Sequence, residues 1–185
     1  MKREIERRKP KGLLDYLSLA VTTFGVGYLP LAPGTWGSMV GVAIYLGAAS
    51  QDAFWVAEWS PHIDMRFINA VARLFFIVVL AAFCFLGIWA SNRSLALLGD
   101  SDPSEAVVDE VMGQLVTFLF VPFGLSWPLV LSGFLLFRLF DIWKPYPIDD
   151  LQVLEGGLGV CADDLVAGVY GGICLAVIYA VSLSI

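Results

Sequence analysis

Positive charge is nearly absent once the first dozen residues are passed. Of eleven lysines and arginines in the 185-residue chain, six lie before Gly12, which leaves Arg66, Arg73, Arg93, Arg138 and Lys144 for everything else. Fifteen of the seventeen acidic residues lie in that remainder. A body so poor in cations excludes a nucleic-acid backbone as partner, because phosphates need a basic face. Charge of either sign is also scarce. Charged residues make up 15% and hydrophobic ones 58%, against about 25% and roughly 45–50% in soluble domains. With a mean hydropathy of +0.79, the composition excludes a soluble domain and implies an integral membrane protein. Cysteine is sparse too: Cys84, Cys161 and Cys174 are an odd number, share no CxxC spacing and lie among apolar or small residues. They exclude a disulfide framework and a zinc site and read as free, buried thiols.

What is present is organised by long uncharged runs. The basic leader at 1–12 marks the cytoplasmic side of the first apolar segment, and no small-residue cleavage site follows it as in a signal peptide. Residues 16–51 carry no formal charge but are interrupted by Gly25, Gly27, Pro30, Pro33 and Gly34. They predict a short or interfacial helix over 13–29 and a first span over 36–51. A second span is expected over 67–90. Residues 111–137 are uncharged as well, with Pro122, Gly124, Ser126 and Pro128 in their middle, so a bent hairpin is expected, with arms over about 104–123 and about 124–143. Residues 165–185 form the last span. Asp163 and Asp164 just before it suit the positive end of a helix dipole. The expectation is an all-α, polytopic helical bundle of about five transmembrane helices plus an N-terminal interfacial or re-entrant helix. It divides into a leader at 1–12 and a membrane-embedded domain at 13–185. Between spans, 52–66 with Trp55, Trp59 and the only histidine, His62, reads as a mixed loop. Residues 92–106 read as an aqueous one, so Asp100 and Asp102 in its Asp-Ser-Asp are solvated residues and not the nucleophile of an α/β domain. Gly37 with Gly41, and Gly168 with Gly172, make small faces for close helix packing.

The few charges left in the body fall into clusters. Arg138, Asp141 and Lys144 follow one another at three-residue spacing along one side of a helix, which Pro145 and Pro147 then stop. Asp109 with Glu110 and Asp163 with Asp164 are the other acidic clusters. If the leader is cytoplasmic and 13–29 does not cross, the spans bring all three clusters and the Pro33-Gly-Thr35 turn to the cytoplasmic face. Ionisable residues at such depth are expensive and point to function. Five carboxylates without histidine or cysteine make a hard-oxygen site that prefers Mg²⁺, with Mn²⁺ or Ca²⁺ as further possibilities. Arg138 and Lys144 would hold phosphate oxygens, Arg as a fork and Lys as a point charge. Thr35 and Ser38, where a helix begins, suit an anion. No cysteine is followed by an arginine six residues on, and the one histidine is remote from the clusters, which closes the phosphocysteine and phosphohistidine routes. Two other readings stay open. An Arg–Asp pair or acidic helix start can be merely structural, and a transporter or lipid-binding protein would also use intramembrane carboxylates, a carrier placing them nearer the midplane.

Four segments, Gly27-Tyr-Leu-Pro-Leu-Ala-Pro-Gly-Thr-Trp-Gly-Ser38, Val108-Asp-Glu-Val-Met-Gly113, Phe137-Arg-Leu-Phe-Asp-Ile-Trp-Lys-Pro-Tyr-Pro-Ile148 and Gly156-Gly-Leu-Gly-Val-Cys-Ala-Asp-Asp-Leu-Val-Ala-Gly168, resemble bacterial phosphatidylglycerophosphatase A in family order. The resemblance runs over about 13–185. It implies a helical, Mg²⁺-dependent enzyme of the bacterial inner membrane, its active site facing the cytoplasm, that hydrolyses phosphatidylglycerophosphate to phosphatidylglycerol and phosphate. It also implies metal-site and catalytic roles for Asp109, Glu110, Asp141, Asp163 and Asp164. Arg138, Lys144 and Thr35 match the family's basic and Pro-Gly-Thr positions, and Ser38 joins them as a candidate substrate contact. The leader lies outside the resemblance and reads as an orientation signal that also meets anionic lipid.

Overall fold

The computed structural model describes residues 5–184. Its elements are α1 (Leu13–Thr23), a 3-10 turn (Val26–Tyr28), α2 (Pro33–Trp59), α3 (Met65–Leu98), α4 (Val108–Phe118), α5 (Trp127–Trp143), α6 (Ile148–Leu151) and α7 (Gly156–Ser182). The fold is all-α. Three of these helices, α2, α3 and α7, are long and apolar enough to cross a membrane, fewer than the expected five. The shortfall lies in the hairpin: α4 has 11 residues and α5 has 17. Pro122 and Gly124 keep residues 119–126 non-helical, and Pro128 restarts the helix in the first turn of α5, where a proline costs least. Tyr45, wholly buried on α2, satisfies that irregular backbone. Its hydroxyl donates to Gly124 O at 3.2 Å or accepts from Gly124 N at 3.1 Å, and its ring stacks on Phe118 with centroids 4.0 Å apart. Non-helical backbone in a membrane protein needs protein partners, and Tyr45 supplies one to Gly124.

Two helices run on past the ends that the sequence suggested. α2 continues through 52–59, expected to be loop, because Ala, Val, Glu and aromatics there contain no breaker before Pro61. α3 continues through 92–98, also expected to be loop. Its Ser91 and Ser94 are buried against neighbouring helices, and only Gly99, with φ 87°, turns the chain out. At 34 residues α3 is about 51 Å long, well beyond the roughly 30 Å of hydrocarbon. The first half of α3 exposes Phe67, Leu74, Phe75 and Val78, whereas Ala90, Ser91, Ser94 and Leu97 near its end are buried. α1 stops at Thr23, short of the expected 29, because Phe24 and Gly25 take left-handed backbone.

α1 is also turned inside out relative to a helix in a soluble protein. It buries Asp15, Ser18, Thr22 and Thr23 and exposes Leu13, Leu14, Tyr16 and Leu17. Such a face makes sense only against lipid. Asp15 and Thr22, seven residues apart on α1, meet Arg93 and Ser94, neighbours on α3, so α1 crosses the end of α3 instead of running along it.

The small faces pack as expected. Gly37 lies against Val107, just before α4, and Gly41 against Gln114 of α4, and a Cβ on Gly168 would fall 2.4 Å from the Gly113 carbonyl oxygen, so α4 and α7 meet backbone to backbone. The free thiols Cys84, Cys161 and Cys174 are not disulfide-bonded, and exposed His62 sits in the α2–α3 turn.

Candidate active site

The site is assembled at one end of the bundle from α2, α4, α5 and α7. The start of α4 is pinned first: Val107 N–H donates to the Thr22 carbonyl at the end of α1, and Val107, Val108 and Val111 are wholly buried. Asp109 and Glu110 therefore project from a fixed first turn, where the helix dipole favours negative charge. α5 arrives antiparallel. Phe137, wholly buried against Gly113, sets its rotation so that Arg138 and Asp141 face α4 and α7. The third side is α7. Asp163 and Asp164 do not open this helix, as expected, but sit two turns inside it, because α7 begins at Gly156. A capping role for the pair is thereby removed. Both are buried, in a helix otherwise fit to cross a membrane.

One carboxylate oxygen from each of Asp109, Glu110 and Asp164 can be chosen so that all three lie within 4.8 Å of one another. The remaining two candidates are used differently. Asp141 Oδ2 lies 2.6 Å from Arg138 Nη1, with Lys144 Nζ at 3.9 Å from Asp141 Oδ1. Asp163 accepts a hydrogen bond from Lys144. Lys144 ends α5 in left-handed backbone, φ 46°, which folds its ammonium back toward α7. Burial works against that charge. The hydrogen bond from Lys144 to Asp163, with Asp164 and Asp141 nearby, outweighs burial and holds the ammonium above its ordinary range. Asp141 also lies near Asp164, so the acidic cluster and the two cations share a wall.

The Pro33-Gly-Thr35 turn closes the fourth side. A Cβ on Gly34 would fall 2.1 Å from Glu110 Oε1 and 3.0 Å from Arg138 Nη1, so only glycine lets this backbone approach. Leu31 and Ala32 just before it are both left-handed, φ 66° and 52°, a cost that clusters at functional sites. Thr35 is half-buried in this turn. Ser38 is fully buried and its hydroxyl donates to the Gly34 carbonyl, holding the first turn of α2 instead of facing the opening.

Three residues leave buried polar atoms without a hydrogen-bond partner here: Glu110 Oε2, Arg138 Nη1 and both amide atoms of Gln114. The Arg138–Asp141 contact lies off the N–H direction, so it does not satisfy Nη1. Natural proteins rarely bury such groups unpaired. Gln114, one turn beyond Glu110 and against Gly41, escaped the sequence reading. Its only signal was the i,i+4 spacing from Glu110 inside an uncharged run.

A model of the family "Phosphatidylglycerophosphatase A" matches residues 19–179. The chain belongs to the phosphatidylglycerophosphatase A family. Phosphatidylglycerophosphatase A of Escherichia coli is 33% identical over 153 residues, 82% of this chain and 76% of that protein. The same-named protein of Haemophilus influenzae is 31% identical over 163 residues, 88% of each. A Bacteroides thetaiotaomicron protein named "Putative phosphatidylinositol-3-phosphatase" is 38% identical over 157 residues, 84% of this chain and 89% of its own length. No solved structure matches the chain. All four site segments fall within the family match, whereas the leader falls outside it.

Proposed function

We propose that this chain hydrolyses the terminal phosphomonoester of phosphatidylglycerophosphate to phosphatidylglycerol and inorganic phosphate, using Mg²⁺, at the cytoplasmic face of a bacterial inner membrane. The observation that carries the reading is the set of three carboxylates within 4.8 Å beside two cations that have carboxylate partners of their own. Family membership supports the same activity. The basic leader, which caps this end of the bundle through contacts with Ala96, Leu97 and Gly99, supports the cytoplasmic orientation.

The donor set fits the metal. Asp109, Glu110 and Asp164 offer only hard oxygens, and Glu110 Oε2 is buried without a partner. Magnesium is commonly bound by a few carboxylates together with substrate phosphate. Bound there, the ion would supply Lewis-acid polarisation of the phosphoryl group and neutralise its charge. The protein's own residues do the rest. Arg138 and Lys144 bind the phosphoryl oxygens and stabilise their charge as it redistributes. Asp141 and Asp163 hold those cations in place. Asp141, outside the acidic cluster but against Asp164, takes a proton from the attacking water as its oxygen bonds to phosphorus. The phosphorus–oxygen bond to glycerol breaks and the glycerol oxygen leaves with a proton from solvent. The acyl chains stay in lipid.

Phosphate release from detergent-solubilised protein is the test. Phosphatidylglycerophosphate should be hydrolysed, EDTA should stop the release and added Mg²⁺ restore it. Absence of release under all conditions would sink the proposal. The Bacteroides relative favours a second reading, a phosphoinositide 3-phosphate as substrate. Faster release from phosphatidylinositol 3-phosphate in the same assay would establish it. A carrier is disfavoured because the carboxylates gather at one end of the spans and not at mid-depth.

A further inference from the structure

Outside the carboxylate site, the feature with most unexplained chemistry is a cavity of about 420 Å³ between the leader, α1 and the end of α3. One wall is Arg7, Arg8 and Lys9; the other is Leu19, Tyr28, Leu97 and Leu98. Its size is that of a small-molecule pocket. The cationic wall is built, not floppy. Ile5 N–H and Arg8 N–H donate to the carbonyls of Gly99 and Ala96, and Arg7 Nε to that of Leu97, so the leader satisfies carbonyls that the end of α3 would leave orphaned. Arg8 is fixed by two hydrogen bonds to Asp15. Lys9 is exposed and takes no ion pair among the described residues.

We infer that this cavity is a second lipid site, which takes the phosphodiester headgroup of an anionic phospholipid while its chains lie along the exposed apolar face of α1. Asp15 neutralises one of the wall's three cations, and a net positive pocket remains, whose α1 wall is Leu19, with exposed Tyr16 one turn before it leading to the rest of the exposed apolar face. A zwitterionic headgroup would bring no net negative charge to that wall. A soluble anion would leave the apolar half of the cavity unused. The cationic wall precedes residue 19, where the family match begins, whereas the apolar wall lies within the match, so the cations of this site are an addition to what the family match covers. The site is nonetheless tied to the catalytic machinery, because α1 hands the Thr22 carbonyl to Val107, two residues before Asp109.

Native mass spectrometry of the full-length protein in detergent, with added phosphatidylserine or phosphatidylcholine, tests this. Phosphatidylserine carries a phosphodiester and no phosphomonoester, so the readout does not depend on the proposed hydrolysis. Phosphatidylserine should be retained and phosphatidylcholine not. Lys9→Ala, which disturbs no internal contact, should weaken retention about fivefold, and Arg7→Gln with Lys9→Ala roughly 30-fold. Arg7→Lys with Lys9→Arg should bind like the parent, and glycerophosphoserine, the headgroup without chains, should bind more weakly than the lipid. Equal retention of phosphatidylcholine, or unchanged affinity in Lys9→Ala and in the doubly neutralised protein, overturns the inference.

Discussion

Asp15 and Asp164 are both almost closed to solvent, and a lone carboxylate in either place would be costly. Their surroundings solve the problem in opposite ways. Around Asp15, Arg8 and Arg93 take both oxygens and the Lys11 N–H adds a backbone donor. Nothing is left over for a ligand. Around Asp164, the nearest groups are more carboxylates, Glu110 keeps an unpartnered oxygen, and the cations stand beside Asp141 and Asp163. Crowded like charges repel one another and are tolerated where a cation or substrate completes the arrangement. The first cluster is a fastener. The second is a site.

Substitutions in the two clusters should therefore separate chemistry from stability. The largest effect is expected for Asp164→Asn, which removes one of three converging oxygens. Turnover in the phosphate-release assay should fall by about a thousandfold or more, with the melting temperature preserved or raised because repulsion is relieved. Activity near that of the parent would remove Asp164 from the site. Gly34→Ala comes next. Its methyl would displace the Glu110 carboxylate and the Arg138 guanidinium, and a shift of about 1 Å in such groups costs roughly a hundredfold. The same change at Gly47, which has nothing within 4 Å, should leave turnover alone, and equal losses at both would discredit the close-approach argument. Arg138→Lys keeps the charge but loses the fork, so a fall of about tenfold in kcat/KM is expected, read by steady-state kinetics on mixed micelles.

The sequence made the second cluster far easier to see than the first. Charges are so scarce after residue 12 that Asp109, Glu110, Arg138, Asp141, Lys144, Asp163 and Asp164 stood out by position, and their hairpin and common end follow from span lengths. Packing decided what remained. Nothing local distinguishes a loop from a helix over 92–98, and only the buried partners of Ser91 and Ser94 on neighbouring helices extend α3. α7 starts at Gly156 because Asn92 of α3 accepts the Gly157 N–H, a contact that no periodicity reveals. Gln114 was hidden because a neutral amide in an apolar run looks like a tolerated substitution until its burial is known. Asp15 went unread because its partner Arg93 lies 78 residues away.

The smallest expected effect on chemistry comes from Asp15→Asn, and it shows the contrast most cleanly because it should change stability alone. Arg8 chiefly, then the Lys11 N–H and Arg93, hold the Asp15 carboxyl at about 2, against an ordinary 3.8, despite the opposing pull of burial. A carboxylate with a depressed folded-state pKa stabilises the fold above its unfolded value and loses that contribution as pH falls through the folded one. The stabilisation should therefore be complete above about pH 4 and fade toward about pH 2. Thermal melting of the parent and of Asp15→Asn in detergent, measured from pH 6 downward, should show a gap that is constant near neutrality and narrows over that window. Turnover per folded molecule at neutral pH should be the same in both. A gap that persists at the lowest pH would mean that Asp15 acts through packing and not through its charge, and the two clusters would then differ less in kind than their hydrogen bonds suggest.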